Sequence, residues 1–295
     1  MDRSARPRRS VLYMPGSNAR ALEKARMLAA DGFIFDLEDA VAPDAKVVAR
    51  AQVAAALAAG GFGARELIVR VNGLDTPWGG EDLAMVASSP AHALLLPKVE
   101  SRAIVAEAER RLEAGGAAPE LAIWCMMETP RGMLHAEEIA VASARVGCLV
   151  MGTSDLAKDL HAAHTAERLP MLTSLGLCLL AARACGLAIL DGVHLDLADD
   201  AGFAVSCRQG KELGFDGKTL IHPKTIAAAN AAFAPSPAAL EWSRRIIAAH
   251  AEAAEAGKGV VLLDGKLIEN LHVAEARRLV ALADAIATLE AAPVG

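Results

Sequence analysis

Eight short apolar segments in series limit the folds open to this chain more than any other feature. Each is followed by a stretch with the composition of a helix, and no composition break occurs until about Pro235. This alternation predicts a parallel (β/α)8 barrel, the TIM-barrel architecture. A doubly wound open sheet is the alternative, but it needs no eighth strand. The predicted strands are 10–14, 33–37, 67–72, 93–98, 121–127, 147–152, 187–191 and 217–221.

The residues after the eighth strand exceed what a barrel requires. Beyond Pro235 and Pro237 the sequence predicts a long helix, a short extended piece at 260–263, a turn at 264–266 and a last helix. We therefore divide the chain into a barrel domain at 1–234 and a C-terminal extension at 235–295. We interpret the extension as a helical lid or oligomerisation arm.

Composition argues against several classes of partner. The formal net charge is −6, and no basic stripe alternates with aromatic residues, so we expect no nucleic-acid partner. No apolar run reaches membrane-spanning length, so we expect no membrane partner. The five cysteines lack metal-ligand spacing and predict buried free thiols in a reducing, cytoplasmic compartment. We interpret Arg3, Arg6, Arg8 and Arg9 as a basic disordered tail, because no apolar signal-peptide segment follows them.

Charged side chains concentrate where the predicted strands end. In a (β/α)8 barrel the C-terminal ends of all strands meet on one face, and active sites lie there. We therefore expect these side chains to surround one site. They are Asp36, Glu38, Asp39, Arg70, Lys98, Glu128, Asp155 and Asp191.

Glu128 and Asp155 are the candidate metal ligands. They lie 27 residues apart, about one strand–helix–strand repeat, and Glu128 ends an apolar strand where its charge needs compensation. An arginine partner or a helix N-terminus could also compensate it. Carboxylates without a neighbouring His or Cys favour Mg²⁺, with Mn²⁺ as a second choice, over zinc. Arg70 would hold a substrate carboxylate or stabilise an enolate oxygen.

Three further cations have two interpretations each. Arg20 and Lys24, on the first predicted helix, could hold a phosphate or could simply form a solvated face. Lys98 could contact the substrate or could form an ion pair at the barrel rim.

A resemblance to a known family rests on eight segments in the same order, from about residue 10 onward. The chain resembles the citrate lyase β-subunit-like (CitE-like) branch of the HpcH/HpaI aldolase superfamily, above all malyl-CoA, β-methylmalyl-CoA and citramalyl-CoA lyases. The segments are SVLYMPGSN, FDLEDAV, VRVN, LLPKVES, METPRG, MGTSDLAKDL, ILDGVH and LIHPKTI.

The resemblance implies a Mg²⁺-dependent enzyme that reversibly cleaves a 3-hydroxyacyl-CoA of the malyl-CoA type. The products would be acetyl-CoA or propionyl-CoA and a 2-oxo acid such as glyoxylate. Glu128 and Asp155 would ligate the metal and, through it, the substrate, while Arg70 would contact substrate oxygens. Asp39 would support the metal's waters. A homotrimer or hexamer is also implied, in which the C-terminal segment closes over a neighbour's site.

The resemblance also assigns Arg20 and Lys24 to the CoA phosphates. Glu269 stands where the family usually has an aspartate that handles the proton of the acetyl methyl group, and the usual proline nearby is absent. A glutamate reaches one methylene further and could still act as the catalytic acid or base, but with altered geometry.

Three alternatives to a lyase follow from this departure and from the family. The same site could hydrolyse the thioester of malyl-CoA. The chain could be the β subunit of a citrate lyase complex that acts on an acyl-carrier-protein thioester. It could also be a binding barrel that has lost turnover.

Overall fold

The computed structural model describes residues 6–255 and 260–292, and the chain divides into two compact units. The first is Arg8–Phe233, and the second contains Ala234–Ala292. Some predictions fall outside the described residues. They concern residues 1 and 295 at the ends of the predicted domains, Ala256 at the end of the predicted long helix, and Arg3 of the predicted tail.

The first unit is a closed barrel of eight parallel strands, as predicted, and each strand pairs with the next in sequence order. β1 and β8 close the barrel through Ser10–Leu12 and Lys218–Leu220. The strands lie within about two residues of their predicted limits. They are β1 (Ser10–Pro15), β2 (Gly32–Asp36), β3 (Glu66–Arg70), β4 (Ala93–Leu96), β5 (Ala122–Met127), β6 (Val146–Met151), β7 (Ala188–Asp191) and β8 (Gly217–Leu220).

Helices follow the strands and cover the barrel. Short 3-10 turns precede α2, α8 and α10. The helices of this unit are α1 (Ala19–Ala25), α2 (Lys46–Ala59), α3 (Gly79–Ala87), α4 (Arg102–Ala114), α5 (Pro130–Leu134), α6 (Ala136–Ala140), α7 (Thr153–Asp159), α8 (Leu172–Ala184), α9 (Asp200–Leu213) and α10 (Ile226–Phe233).

Two hydrophobic clusters explain why every strand is apolar along its length. Because strand side chains alternate in direction, one set fills the barrel interior and the other packs under the helices. The inner cluster includes Val11, Ile34, Ile68 and Trp124. The outer cluster is larger, and four of the five free cysteines are buried.

Arg8 and Arg9 correct the prediction of a disordered basic tail. Arg8 donates two hydrogen bonds to Glu66, 2.6 and 2.9 Å long, and its guanidinium lies 5.3 Å from the Trp124 ring centroid. Arg9 pairs with Asp31 at 2.8 Å. Both arginines are buried, and together they close the N-terminal end of the barrel. Their partners are distant in sequence, so charge alone could not distinguish them from a solvated tail.

The second unit is an antiparallel helix pair with a small hairpin. Its elements are α11 (Pro237–Glu255), β9 (Val261–Leu263), β10 (Lys266–Ile268) and α12 (Asn270–Ala291). Asp264 and Gly265 both have positive φ, which matches a two-residue hairpin turn. The second strand of the hairpin was not predicted, and α12 begins at Asn270, three residues before the start at about Val273 that the sequence predicts.

None of the helices in the described ranges has the combination of length and hydropathy that a transmembrane segment needs.

Candidate active site

Arg70 and Asp36 form the centre of the polar face at the C-terminal ends of the strands. Arg70 ends β3 and donates two parallel hydrogen bonds to the Asp36 carboxylate at the end of β2, at 2.7 and 2.6 Å. Its guanidinium also lies 4.9 Å from the Tyr13 ring centroid. Burial alone would lower the pKa of Arg70, but the pairing with Asp36 holds it well above its usual value. The guanidinium is therefore a fixed, permanent positive charge.

Glu38 connects this pair to Lys98 on the neighbouring strand end. One carboxylate oxygen lies 2.9 Å from Nη1 of Arg70, and the other accepts a 2.6 Å hydrogen bond from Nζ of Lys98. Burial raises the pKa of Glu38, although both cations oppose the shift. Burial would lower the pKa of Lys98, but its hydrogen bond to Glu38 raises it. The two groups therefore form the ion pair that was one of the two interpretations of Lys98.

Glu128 is the buried carboxylate at the end of β5, with 1% of its surface exposed. Oε1 accepts a 2.8 Å hydrogen bond from the backbone N–H of Lys98. A Cβ added at Gly152 would lie 2.6 Å from Oε2, so only glycine leaves room for the carboxylate at the end of β6. Burial raises the pKa of Glu128 to about 7, against the opposing effect of Lys98. The ionised carboxylate is thus poorly compensated by the protein alone.

Asp155 lies in the first turn of α7, three residues after Gly152. Its side chain is partly exposed, and Nζ of Lys158 lies 4.0 Å away. Because Gly152 packs against Glu128 and the helix starts directly after it, the chain brings Asp155 to the same sector of the barrel face as Glu128.

A layer of buried groups supports the turn that carries Glu38 and Asp39. Nζ of Lys46 donates to the backbone carbonyls of Leu37 and Glu38, at 2.8 and 2.7 Å, and Asn72 donates to that of Leu37 at 2.9 Å. Burial lowers the pKa of Lys46. These hydrogen bonds fix the backbone of the turn and, with it, the direction of the Glu38 side chain.

The other predicted site residues differ in burial and in their distance from this centre. Asp39 is 58% exposed, and its carboxylate lies 3.5 Å from Nη1 of Arg70. Arg20 and Lys24 are exposed on α1, with Lys24 in its last turn. Asp191 differs from the other strand-end acids, because it is fully buried and bonds to Lys218 and Arg168 beneath α9.

Glu269 has a local role within the second unit. It is the N-cap of α12: its backbone N–H donates to Nδ1 of His272 at 3.0 Å, and its backbone carbonyl accepts a 2.9 Å hydrogen bond from the His272 N–H. The predicted catalytic residue is thus also a helix cap. The capping pattern was present in the sequence as a glutamate followed three residues later by a histidine.

The donor set at the barrel face fits a hard divalent cation better than zinc. Within 6–255 and 260–292, no group of three or more His, Cys, Asp or Glu side chains is arranged to hold a metal ion. Magnesium needs no such cage, since it is held by one or two carboxylates and keeps several waters. The buried, poorly compensated Glu128 carboxylate, with Asp155 in the same sector of the barrel face, meets this requirement.

The two contacts of Lys98, one through its backbone and one through its side chain, were not predicted from the sequence. Its φ of 48° is in the left-handed region, and this conformation lets its N–H reach Glu128 while its side chain reaches Glu38. The segment Leu96-Pro97-Lys98 indicated a strand end but not a reversed backbone.

A family model and several proteins match this chain over most of its length. The model of the HpcH/HpaI aldolase/citrate lyase family matches residues 9–223. A (3S)-malyl-CoA thioesterase from Cereibacter sphaeroides is 53% identical over 291 residues, covering 99% of this chain and 100% of the relative. Citrate lyase subunit beta from Escherichia coli is 35% identical over 288 residues, covering 96% and 95%.

Solved structures agree with these matches. The crystal structure of the protein CitE from Mycobacterium tuberculosis in complex with magnesium, acetoacetate and coenzyme A is 31% identical. It covers 96% of this chain and 99% of that chain, with a TM-score of 0.76. The resemblance noted in the sequence is therefore confirmed: this chain is an enzyme of the HpcH/HpaI aldolase/citrate lyase family.

Proposed function

We propose that this enzyme hydrolyses (3S)-malyl-CoA to malate and free coenzyme A. The observation that carries the proposal is 53% identity to a (3S)-malyl-CoA thioesterase across the whole of both chains. Hydrolysis adds one water: its oxygen bonds to the thioester carbon, the C–S bond breaks, and the leaving sulfur takes up a proton. The leading prediction from sequence was the lyase, and hydrolysis was its alternative.

A divalent cation, Mg²⁺ or Mn²⁺, is proposed to be held by Glu128 and Asp155. The related protein CitE has been solved with magnesium and coenzyme A, and the carboxylates here suit the same ion. A bound cation supplies Lewis acidity toward a carbonyl oxygen of the substrate. The role of the chain is to present two carboxylates at one sector of the barrel face, with Gly152 leaving the space that Glu128 needs.

Arg70 is proposed to stabilise the negative charge that develops on substrate oxygens. Its two hydrogen bonds to Asp36 fix the plane of the guanidinium before substrate arrives, so little reorganisation is needed in the reaction. Asp39 is proposed to orient the attacking water and take its proton. Its carboxylate is 58% exposed and lies 3.5 Å from Nη1 of Arg70, which leaves oxygen lone pairs for a water.

Two further assignments depend on the family resemblance. Arg20 and Lys24 are proposed to contact CoA phosphates, since both are exposed cations on α1. The second unit is proposed to act as a lid or oligomerisation arm in a homotrimer or hexamer. Glu269, the N-cap residue of α12, is proposed as the proton-handling residue of that arm.

Carbon–carbon cleavage is the second candidate function. It is favoured by the match to citrate lyase subunit beta over 95% of that relative. In this reaction malyl-CoA yields acetyl-CoA and glyoxylate, and no free thiol appears. Cleavage needs a group that returns a proton to the acetyl carbon, and Glu269 is the residue proposed for that task. A β-subunit role would instead require an acyl-carrier protein as partner.

One assay separates these functions. The purified full-length chain is mixed with (3S)-malyl-CoA and Mg²⁺, and free thiol and glyoxylate are measured in the same sample. Thiol without glyoxylate is expected, and excess EDTA should abolish it. Glyoxylate without thiol would replace hydrolysis by the lyase reaction, and neither product would refute both.

Two variants complete that experiment. Asp155→Asn should lose thiol release, because it removes one proposed metal ligand while keeping the size of the side chain. Glu107→Gln is the matched control, since Glu107 is an exposed carboxylate on α4 that pairs with Arg110 and Arg111. It should retain the full rate.

A further inference from the structure

Lys98 occupies a backbone conformation that a residue with a Cβ rarely adopts. Its φ is 48°, in the left-handed region where glycine is favoured. It directly follows Pro97 at the end of β4. A lysine at such a position needs a reason, because glycine would satisfy the backbone without strain.

The two ends of Lys98 contact carboxylates from two different strand ends. Its backbone N–H donates to Oε1 of Glu128 at 2.8 Å, and its Nζ donates to Oε1 of Glu38 at 2.6 Å. Glu38 follows β2, whereas Glu128 follows β5. A single residue therefore fixes the directions of two acids that would otherwise repel each other.

Arg70 does not duplicate this arrangement. Two of its nitrogens are bonded to Asp36, and Nη1 faces Glu38 and Asp39. Glu38 thus lies between two cations, with one oxygen toward Arg70 and the other toward Lys98. Both of its carboxylate oxygens are therefore held by cationic side chains of the protein.

We propose that Lys98 is a positioning residue that separates the two carboxylates: its backbone N–H orients Glu128, and its ammonium keeps Glu38 from competing for the cation. This rests on the proposed metal-dependent function. The backbone contact survives any non-proline substitution that keeps the turn, whereas the ammonium contact needs a cation. The two parts of the role are therefore separable by mutation.

Lys98→Met tests the ammonium, because methionine keeps length and bulk but loses the charge. Removal of one partly exposed positive charge should tighten Mn²⁺ binding about two- to fivefold. Freed Glu38 would nevertheless misplace the reacting groups, so kcat for malyl-CoA thioester hydrolysis should fall by about tenfold or more, with KM little changed. Tighter metal binding with slower turnover is a combination that general destabilisation does not produce.

Two further variants define the comparison. Lys98→Arg keeps the cation and should restore kcat to within about threefold of the wild type. Lys224→Met is the matched control, since Lys224 pairs with Asp200 at 2.8 Å and its side chain is 37% exposed, against 47% for Lys98. It should change neither value.

Three readouts are collected on each full-length protein: Mn²⁺ affinity by electron paramagnetic resonance, kcat and KM by thiol release, and the melting temperature. The proposal is overturned if Lys98→Met leaves kcat within about twofold of the wild type, or if metal affinity falls together with the melting temperature. If wild-type protein releases no thiol, the proposed function fails, but the Mn²⁺ titration still tests the separation of Glu38 from the cation.

Discussion

Replacement of Glu128 by glutamine should make the metal-free protein more stable above pH 7. The pKa of Glu128 is raised by burial from 4.5 to about 7. At ~1.4 kcal/mol for each pKa unit, the ionised carboxylate costs the folded state about 3 kcal/mol. Glutamine keeps the acceptor for the Lys98 N–H but carries no charge, so it removes this cost.

The sign of the pH dependence follows from the two pKa values. Below pH 4.5 the carboxyl is protonated in both the folded and the unfolded chain, and it contributes no pH dependence. Between pH 4.5 and about 7 the folded protein keeps a proton that the unfolded chain has lost, so stability falls as pH rises. The cost is complete above pH 7. The gain of Glu128→Gln should therefore be under about 1 kcal/mol at pH 5 and about 3 kcal/mol at pH 8.

Urea denaturation in EDTA at pH 5 and pH 8 measures this difference. Glu107→Gln is the control, because its pKa is lowered by Arg110 and Arg111 and does not titrate between these values. Its free energy of unfolding relative to the wild type should not change between pH 5 and pH 8. Saturating Mg²⁺ should stabilise wild-type protein at pH 8 and leave Glu128→Gln unaffected. Equal stability of Glu128→Gln and wild type at pH 8 would refute the claim that this carboxylate is an uncompensated buried charge.

Three other substitutions have expected outcomes. Gly152→Ala would place a methyl group 2.6 Å from Oε2 of Glu128. The affinity for Mg²⁺, measured by calorimetry, should therefore fall by about tenfold or more. An unchanged affinity would contradict the packing argument. Glu66→Gln leaves the buried guanidinium of Arg8 without its counter-charge and should cost about 3 kcal/mol or more in urea denaturation, whereas a loss under about 1 kcal/mol would show that the pair is dispensable. Asp191→Asn should destabilise the protein by a similar amount, because Asp191 is bonded to the buried Lys218 beneath α9. It should not alter the affinity for Mg²⁺, and a reduced affinity would place Asp191 in the site.

The barrel and its strand-end residues could be predicted from the sequence because both depend on local patterns. Strands buried on both faces are continuously apolar, and the first polar residue after each marks the end where a site can form. Glu128 and Arg70 were found in this way. Asp191 satisfies the same pattern, yet its side chain points to the outer layer, because a one-residue difference in position reverses the direction of a strand side chain.

The remaining features depend on contacts between distant residues. Arg8 lies in a segment with the composition of a solvated tail, and its partner Glu66 is 58 residues away in the sequence. The conformation of Lys98 depends on packing at the end of β4, and no local signal predicts a left-handed lysine. The N-cap position of Glu269 was visible as a local motif, but the hydrogen bond from its backbone N–H to the His272 ring became clear only from the structure.

A crystal structure of the full-length protein grown with Mg²⁺ tests directly whether Glu128 and Asp155 hold one ion. We expect one octahedral ion at the C-terminal face of the barrel, about 2.1 Å from one oxygen each of Glu128 and Asp155, with waters in the other positions. Glu38 should remain bonded to Lys98 and outside the coordination sphere. An ion bound elsewhere, or no ion at saturating Mg²⁺ with the two carboxylates turned apart, would contradict it.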